Sequence, residues 1–339
     1  MRYRLLGRSG LRVSQLCLGA MTFGDGWGWG ADKETSRAIF DVFAQAGGNF
    51  IDTAYVYTDG TSEQYIGDFI ASDRDHFVVG TKYSSSLDGD ISKAGNSRKN
   101  MMRSVELSLR RLKTDYIDLL WLHTWDGTTP IEEILRGFDD LVRSGKVHYV
   151  GISDTAAWRI SRGCAIADFY GWAPIVAVQL AYNLVARSAE RDLLPMAREL
   201  GLGVTAWSPL AGGILSGKYT SGGSSVGGRL EAARLKPREL EIATVLGEAA
   251  SELGCSPSQL GLAWLLDNPA FADAIPIVGA RSADQMHENL GCLDLTVPAA
   301  VRDRLADVSA IELGFPHELL ASEINARFTL TGPTSPLIR

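Results

Sequence analysis

The chain has 339 residues, of which 45% are hydrophobic and 22% charged, and its formal net charge at pH 7 is −7. This composition is ordinary for a globular enzyme with a large core, and the length is compatible with one barrel-sized domain. A net negative charge without any lysine/arginine run argues against a general nucleic-acid-binding protein.

Cysteine usage and the N-terminus bear on the cellular compartment. No CxxC motif or Cys/His cluster indicates a zinc site, and we expect reduced thiols at the scattered positions Cys17, Cys164, Cys255 and Cys292. No apolar segment follows Met1-Arg2-Tyr3-Arg4, which argues against a secretion signal. No apolar run reaches the roughly 18 residues that a membrane span needs. We therefore expect a cytoplasmic protein without metal or membrane partners.

Strand-like and helix-like segments alternate along the chain. The first two, Tyr3-Arg4-Leu5 and Leu11-Arg12-Val13, flank Ser9-Gly10 and predict a hairpin. Eight short runs follow that are apolar on both faces, as buried parallel strands are. They lie near Gln15–Gly19, Asn49–Asp52, Phe77–Lys82, Tyr116–Leu122, Val147–Ile152, Val176–Leu180, Gly203–Trp207 and Ala274–Val278.

Helical patterns separate these strands. In one of them, apolar residues recur at helical spacing at Met102, Val105, Leu109 and Leu112. Helix entries are predicted at Asp32 and Ser188, and helix ends at Gly145, Gly201 and Gly254. Eight strand–helix alternations predict an α/β fold, a closed (β/α)8 TIM barrel, within a single domain at 1–339. The hairpin is expected to close the barrel floor.

Two segments depart from short connections. Residues 208–237, after the seventh barrel strand, contain seven glycines and little periodicity. Because ligands of such barrels bind at the strand exits, we predict a flap over a ligand, with a merely flexible surface loop as the alternative. Residues 298–339 form a C-terminal extension that includes another amphipathic run at Val301, Leu305 and Val308.

Four polar side chains, Asp52, Tyr57, Lys82 and His123, follow successive strand ends and should converge on the exit rim. A tyrosine can donate a proton, a neighbouring lysine favours the phenolate, a carboxylate can hold that lysine, and a histidine can polarise a carbonyl oxygen. Singly, they could be a salt bridge, a core tyrosine and a core histidine. Together they favour a catalytic site.

These four residues lie in segments that resemble those of the aldo-keto reductase family. The matching segments, in family order, are Phe50–Tyr57 with Ser62, Glu63 and Gly67, Thr81–Tyr83, Leu122-His123 with Asp126, Val150–Ser153, Val178-Gln179 with Tyr182-Asn183, Ala206–Leu210 and Ile275–Asn289. The resemblance covers nearly the whole chain. It implies reversible reduction of an aldehyde or ketone by NADPH, with Tyr57 rather than Tyr55 as the acid, Lys82 lowering its pKa, Asp52 positioning Lys82, and His123 orienting the carbonyl.

The resemblance also implies an NADP(H) site. Its residues would be Thr22, Asp52, Ser153, Asp154, Gln179, Trp207, Ser208, Leu210, Gly212, Ser216, Lys218, Gly279, Arg281, Gln285, Glu288 and Asn289. Ser153 and Gln179 would hold the nicotinamide carboxamide and Trp207 would stack on its ring, while Asp154 stands where many members carry Asn. Arg281 would fork onto a 2′-phosphate and favour NADP over NAD.

An aromatic loop raises a separate question. Residues 26–31 read Gly-Trp-Gly-Trp-Gly-Ala and match the dinucleotide fingerprint G-x-G-x-x-A. The glycines come late after the strand and the tryptophans would crowd a pyrophosphate, so we favour a rim loop that packs a substrate or packs on itself. The predicted substrate-binding residues are Trp27, Trp29, Tyr83 and Trp125.

Two other functions stay open at this stage. One is a non-catalytic NADPH-binding regulatory subunit of the same fold. The other is a barrel hydrolase or isomerase, which would need a metal cluster or a second suitably spaced carboxylate. The sequence specifies neither the individual carbonyl substrate nor the oligomeric state.

Overall fold

The computed structural model describes residues 1–86, 89–219, 235–267, 274–326 and 328. Strands β1 (Tyr3–Leu5) and β2 (Arg12–Ser14) form an antiparallel hairpin. Eight parallel strands then close a barrel in which β10 pairs with β3. They are β3 (Cys17–Gly19), β4 (Phe50–Asp52), β5 (Val78–Tyr83), β6 (Ile117–Leu122), β7 (Val147–Ser153), β8 (Ile175–Ala181), β9 (Gly203–Trp207) and β10 (Ala274–Val278). The predicted TIM barrel with its N-terminal hairpin is confirmed.

Helices surround the barrel and extend beyond it. They are α1 (Lys33–Gln45), α2 (Thr61–Ile70), α3 (Arg98–Leu112), α4 (Ile131–Arg143), α5 (Ala157–Tyr170), α6 (Leu193–Leu200), α7 (Pro237–Glu252), α8 (Pro257–Leu266), α9 (Ala283–Leu290), α10 (Ala299–Val308), α11 (His317–Ala321) and α12 (Glu323–Ala326). The Asp32 side chain caps α1 by accepting a hydrogen bond from the Thr35 amide. The three glycines expected at helix ends adopt φ values of 75°, 65° and 66°, which favour glycine.

One local expectation needs correction. Ser188 begins a short 3-10 turn, Ser188–Glu190, and α6 starts only at Leu193. In α3, Val105, Leu109 and Leu112 are buried and Met102 packs partly buried against the core, as their helical spacing predicted. The buried face of α3 also includes Ser104 and Ser108, and small polar residues on a packed face are invisible to a pattern based on hydrophobicity.

The hairpin closes the end of the barrel where the strands begin. Leu6 and Val13 pack in one buried cluster with the inward residues Phe50 and Leu119. Gly7 has φ of 58°, and a Cβ there would lie 2.4 Å from the Val176 carbonyl oxygen. With the floor sealed by this close backbone contact, the opposite rim is left for a ligand.

The two long segments are described in part. Of the predicted flap, residues 208–219 and 235–237 are described and 220–234 lie outside the described residues. The C-terminal extension contains α10, α11 and α12, while 327 and 329–339 lie outside. Within the described ranges, no helix combines the length and apolar character needed to cross a membrane. Over the same ranges, His, Cys, Asp and Glu side chains nowhere gather in threes as metal ligands would.

Candidate active site

Lys82 is the centre of a polar cluster at the exit rim. It lies in β5, its side chain is 1% exposed, and its ammonium group donates to the Asp52 carboxylate at the end of β4. The same nitrogen donates to the Thr53 carbonyl oxygen at 2.8 Å and to the Tyr57 hydroxyl at 3.0 Å. Gln179 of β8 donates to the other Asp52 oxygen at 2.9 Å. All three ammonium protons therefore have an acceptor, and the lysine is held rigidly beside the phenol.

The charges around Tyr57 act in opposite directions. Burial would lower the pKa of Lys82, but the neighbouring Asp52 and Tyr57 outweigh it, so the pKa of Lys82 is raised and the ammonium stays charged. Burial raises the pKa of Tyr57 above its usual 10.0, although Lys82 pulls it down. Lys82 therefore acts on the phenol in the expected direction, but burial outweighs its effect on the Tyr57 pKa. A protonated phenol at neutral pH is the form that can donate a proton.

His123 follows β6 and faces the same space. Its ring meets the Tyr57 ring edge-on, with centroids 5.9 Å apart. Burial, together with the Lys82 charge, lowers the pKa of His123 from 6.5 to about 3. Among the described residues, its buried Nδ1 has no hydrogen-bond partner. The imidazole is therefore neutral near pH 7, with one nitrogen as donor and one as acceptor.

We expect His123 to leave a signature in stability rather than in the neutral pH–rate profile. Its pKa is lower in the folded state, so between about pH 6.5 and pH 3 the unfolded chain binds the proton first and stability falls as pH falls, by at most about 1.4 kcal/mol per pH unit. Denaturant unfolding from pH 4.5 to 7 should show a shallower slope for His123→Gln than for the wild type. The exposed His148 supplies the control: an equal flattening in His148→Gln would contradict the assignment.

A cavity of about 460 Å³ opens above these four side chains. Its walls come from the strand exits and from the segments after β9 and β10. The predicted cofactor and substrate residues that line it are Thr22, Trp29, Ser153, Asp154, Gln179, Trp207, Ser208, Leu210, Gly212, Ser216, Lys218, Gly279, Arg281 and Gln285, together with Asp52, Tyr57 and His123. Residues far apart in sequence are thus brought to one space, because parallel strands end on one rim.

Several of these residues are already engaged with one another. The Trp207 indole N–H donates to Asp154 at 3.0 Å, and the Thr22 hydroxyl donates to the Ala280 carbonyl oxygen at 3.0 Å. The Arg281 amide donates to the Gln285 side chain at 2.9 Å. This last bond ties Gln285 to the loop before α9 and leaves the guanidinium of Arg281 as the charged group of that loop.

The site has features that suit a phosphate-bearing dinucleotide. The Ser153 hydroxyl and the Asn289 amide nitrogen are buried, and within the described residues neither has a partner. Lys218 and Arg281 line the cavity, and α9 begins beside it, where amide groups favour an anion. Gly212 and Gly213 adopt φ values of 63° and 99°, which let bare backbone lie along the wall. The donor set therefore fits NADP(H).

Five of the predicted cofactor- and substrate-binding residues, Tyr83 among them, lie outside the cavity wall. Glu288 and Asn289 are in α9, beyond Gln285. Trp27 packs on Trp29, with ring centroids 5.5 Å apart, and Trp125 packs under Arg159. Within the loop, Trp29 lines the cavity and Trp27 packs on Trp29.

The assignment of Tyr83 to the substrate is corrected by its position. Tyr83 is fully buried, and its ring meets Phe138 of α4 edge-on at 6.1 Å. Successive side chains of a strand point to opposite faces, so the inward Lys82 requires an outward Tyr83. The same alternation was available in the sequence.

One glycine of the aromatic loop is required by its bend. A Cβ at Gly30 would lie 1.7 Å from the Gly24 carbonyl oxygen, and the Gly24 amide donates to the Ala31 carbonyl oxygen at 2.8 Å. The fingerprint glycines Gly26 and Gly28 are not part of this contact, since a Cβ at either would meet no atom within 4 Å. Sequence reasoning missed the lining residues Gly19, Met21, Pro209 and Gly213, whereas the lining residues Ile277, Val278 and Ala280 belong to the matching segment Ile275–Asn289.

Comparisons with known proteins agree with this geometry. The model of the Aldo/keto reductase family matches residues 15–310. The chain is 37% identical over 333 residues to "Aryl-alcohol dehydrogenase [NADP(+)]" of Phanerodontia chrysosporium, covering 91% of this chain and 86% of that protein. It is 36% identical to "Norsolorinic acid reductase B" of Dothistroma septosporum, covering 96% and 86%. A Bacillus subtilis protein, "Uncharacterized oxidoreductase YrpG", is also 36% identical, covering 91% and 96%.

Proposed function

Because this chain belongs to the aldo/keto reductase family, we propose that it reversibly reduces an aldehyde or ketone to an alcohol with NADPH, with Tyr57 as the proton donor. The observation that carries the proposal is the Lys82 ammonium group, which donates to both Asp52 and the Tyr57 hydroxyl at the floor of the cavity. A protonated phenol held by a buried cation is suited to deliver one proton to a developing alkoxide.

The chain's own groups have distinct tasks. Bound NADPH supplies the hydride. Tyr57 gives its proton to the carbonyl oxygen, and the charge of Lys82 stabilises the phenolate that remains. The neutral His123 directs an N–H at the same oxygen and selects the face that the carbonyl presents. Donors aimed at a developing oxyanion contribute up to about 3–4 kcal/mol each.

The polar rim beside the tetrad suits a carboxamide. The amide nitrogen of Gln179 is used by Asp52, so its oxygen is the acceptor for a carboxamide N–H. Ser153 has a buried hydroxyl without a described partner that can donate to the carboxamide oxygen. Asp154 can only accept while it is ionised, and it accepts from Trp207. In this arrangement Asp154 fixes the edge of the indole, whose face is left for the nicotinamide.

Side chains at the rim of the cavity support two finer proposals, a preference for NADP(H) over NAD(H) and an aromatic carbonyl substrate. Arg281 beside the start of α9 suits a 2′-phosphate, for which a guanidinium has a matching fork. Trp29 lines the cavity and offers a flat apolar surface to the substrate. One relative is named for aryl alcohols and NADP(+). We therefore assign an aryl aldehyde or aryl ketone as the substrate class.

The test is a steady-state assay of NADPH oxidation with aromatic aldehydes, aliphatic aldehydes and sugar-derived aldehydes, repeated with NADH. We expect turnover with NADPH, higher kcat/KM for the aromatic members, and a higher KM for NADH. In Arg281→Gln, loss of a charge-assisted contact should raise the KM for NADPH by roughly tenfold to a hundredfold.

NADH is the internal control for this variant, because it lacks the 2′-phosphate and its KM should hardly change. Tryptophan quenching by NADPH without turnover of any carbonyl would instead favour a non-catalytic binding subunit. Equal changes in the KM for NADPH and the KM for NADH would show that Arg281 does not contact the 2′-phosphate.

A further inference from the structure

A buried carboxylate behind the active site joins the elements that carry Lys82 and Tyr57. Glu63 of α2 is fully buried, and Thr81 donates to it at 2.7 Å. Thr81 directly precedes Lys82 in β5, so its side chain faces outward while that of Lys82 faces the barrel. The other Glu63 oxygen lies 3.3 Å from the guanidinium of Arg111 in α3. None of these three groups lines the cavity.

The Arg111 side chain donates hydrogen bonds to the backbone on both sides of Tyr57. One of its terminal nitrogens donates to the Tyr55 carbonyl oxygen at 2.6 Å, and the other donates to the Asp59 carbonyl oxygen at 3.3 Å. The planar fork of an arginine presents its donors in a fixed geometry, whereas the donors of an ammonium group sit on one nitrogen and rotate about its bond to carbon. The Arg111 side chain thus ties the segment that presents the phenol to α3.

The segment that Arg111 contacts has three successive residues with positive φ. Thr58, Asp59 and Gly60 have φ values of 46°, 57° and 92°, and such residues keep this conformation only where the surroundings enforce it. A Cβ at Gly60 would lie 2.1 Å from the Arg111 Cζ. The guanidinium therefore lies directly against the Gly60 backbone, and only glycine leaves room for it.

We propose that Glu63 and Arg111 are a positioning pair for the reaction, which holds the Tyr57 hydroxyl at hydrogen-bonding distance from Lys82. The inference rests on the proposed function of Tyr57 as proton donor. Arg111 sets the backbone around the phenol, and Glu63 fixes Arg111 relative to the strand of Lys82. A buried carboxylate that loses its cation is costly, so the two side chains stay locked together. Displacement of a reacting group by about 1 Å can cost a hundredfold in rate.

The opposite end of the same strands supplies a matched control. Arg74 donates to the Phe77 carbonyl oxygen at 2.9 Å and to the Tyr116 carbonyl oxygen at 3.0 Å, and it pairs with Asp118 at 2.7 Å. Its side chain is 15% exposed, against 19% for Arg111. Arg74 thus makes the same kinds of contact near the beginnings of β5 and β6, away from the tetrad at their exits.

The experiment compares Arg111→Lys with Arg74→Lys in the full chain. We expect similar losses of Tm, because both variants exchange a fork for a single ammonium group. Only Arg111→Lys should lose kcat, by about tenfold to a hundredfold, with the Kd for NADPH from tryptophan quenching unchanged.

The pH profile of alcohol oxidation adds a second measurement, which a loss of stability alone would not change. Oxidation needs the Tyr57 phenolate, so its rate rises with pH through the Tyr57 pKa. The charged or titratable groups facing this phenol are Lys82, Asp52, His123 and Asp154. Of these, Lys82 lowers the pKa of Tyr57. A phenol displaced from Lys82 should therefore shift the rising limb to higher pH in Arg111→Lys and leave it in place in Arg74→Lys.

A second variant, Gly60→Ala, tests the same proposal in case Arg111→Lys does not fold. Gly60→Ala keeps every charge but drives a methyl group into the guanidinium, and it should show the same kcat loss and the same shift of the limb. The positioning role is overturned if folded Arg111→Lys or Gly60→Ala has the same kcat as Arg74→Lys and the same rising limb in the pH profile of alcohol oxidation. Normal turnover in Tyr57→Phe would instead overturn the proposed function, whatever the Arg111 variant does.

Discussion

Tyr57→Phe should abolish most carbonyl reduction while NADPH binding stays nearly intact. The substitution removes one hydroxyl that contacts Lys82 at 3.0 Å and leaves the ring in place beside His123. Loss of a positioned general acid typically costs about 10²–10⁴-fold in rate. The measurements are kcat for an aryl aldehyde and the Kd for NADPH from tryptophan quenching.

Tyr83→Phe is the control, because this neighbour of Lys82 is fully buried and faces α4 rather than the cavity. Its hydroxyl makes one long bond, 3.4 Å to the Asn96 carbonyl oxygen, so kcat should stay close to the wild-type value. Near-normal turnover in Tyr57→Phe, or an equal loss in both variants, would refute Tyr57 as the acid.

Lys82→Met should remove turnover and also destabilise the fold by about 3–5 kcal/mol, the usual cost of leaving one buried charge unpaired. Asp52 is 3% exposed, and among the described residues Gln179 would be its one remaining side-chain partner. The double variant Asp52→Asn/Lys82→Met removes both charges, so most of the lost stability should return while turnover stays absent. Urea unfolding and the reduction assay measure the two effects separately.

The double variant separates a structural role from a chemical one. If turnover returned along with stability, Lys82 would act only as a counter-ion for Asp52, and its effect on the phenol would not matter. If the single variant were as stable as the wild type, the carboxylate would be neutral or hydrated without Lys82, and the buried ion pair would not organise the site.

The barrel was predictable because its signals are local. Continuous apolar runs mark strands buried on both faces, and their predicted limits lie within two residues of β3 to β10. The convergence of Asp52, Lys82 and His123 follows from parallel strands ending on one rim. The error at Tyr83 came from following the motif instead of the alternation of side chains along β5.

Order along the chain determined the fold class, the four polar residues at the strand exits and the family. Packing alone decided how those residues ionise, because burial depends on every neighbour at once: it raises the pKa of Tyr57 despite Lys82 and lowers that of His123 to about 3. Packing also decided which distant residues hold the phenol. Arg111 reaches the Tyr55 carbonyl oxygen across 56 positions of sequence, and no local pattern records a contact that exists only once α3 lies against α2.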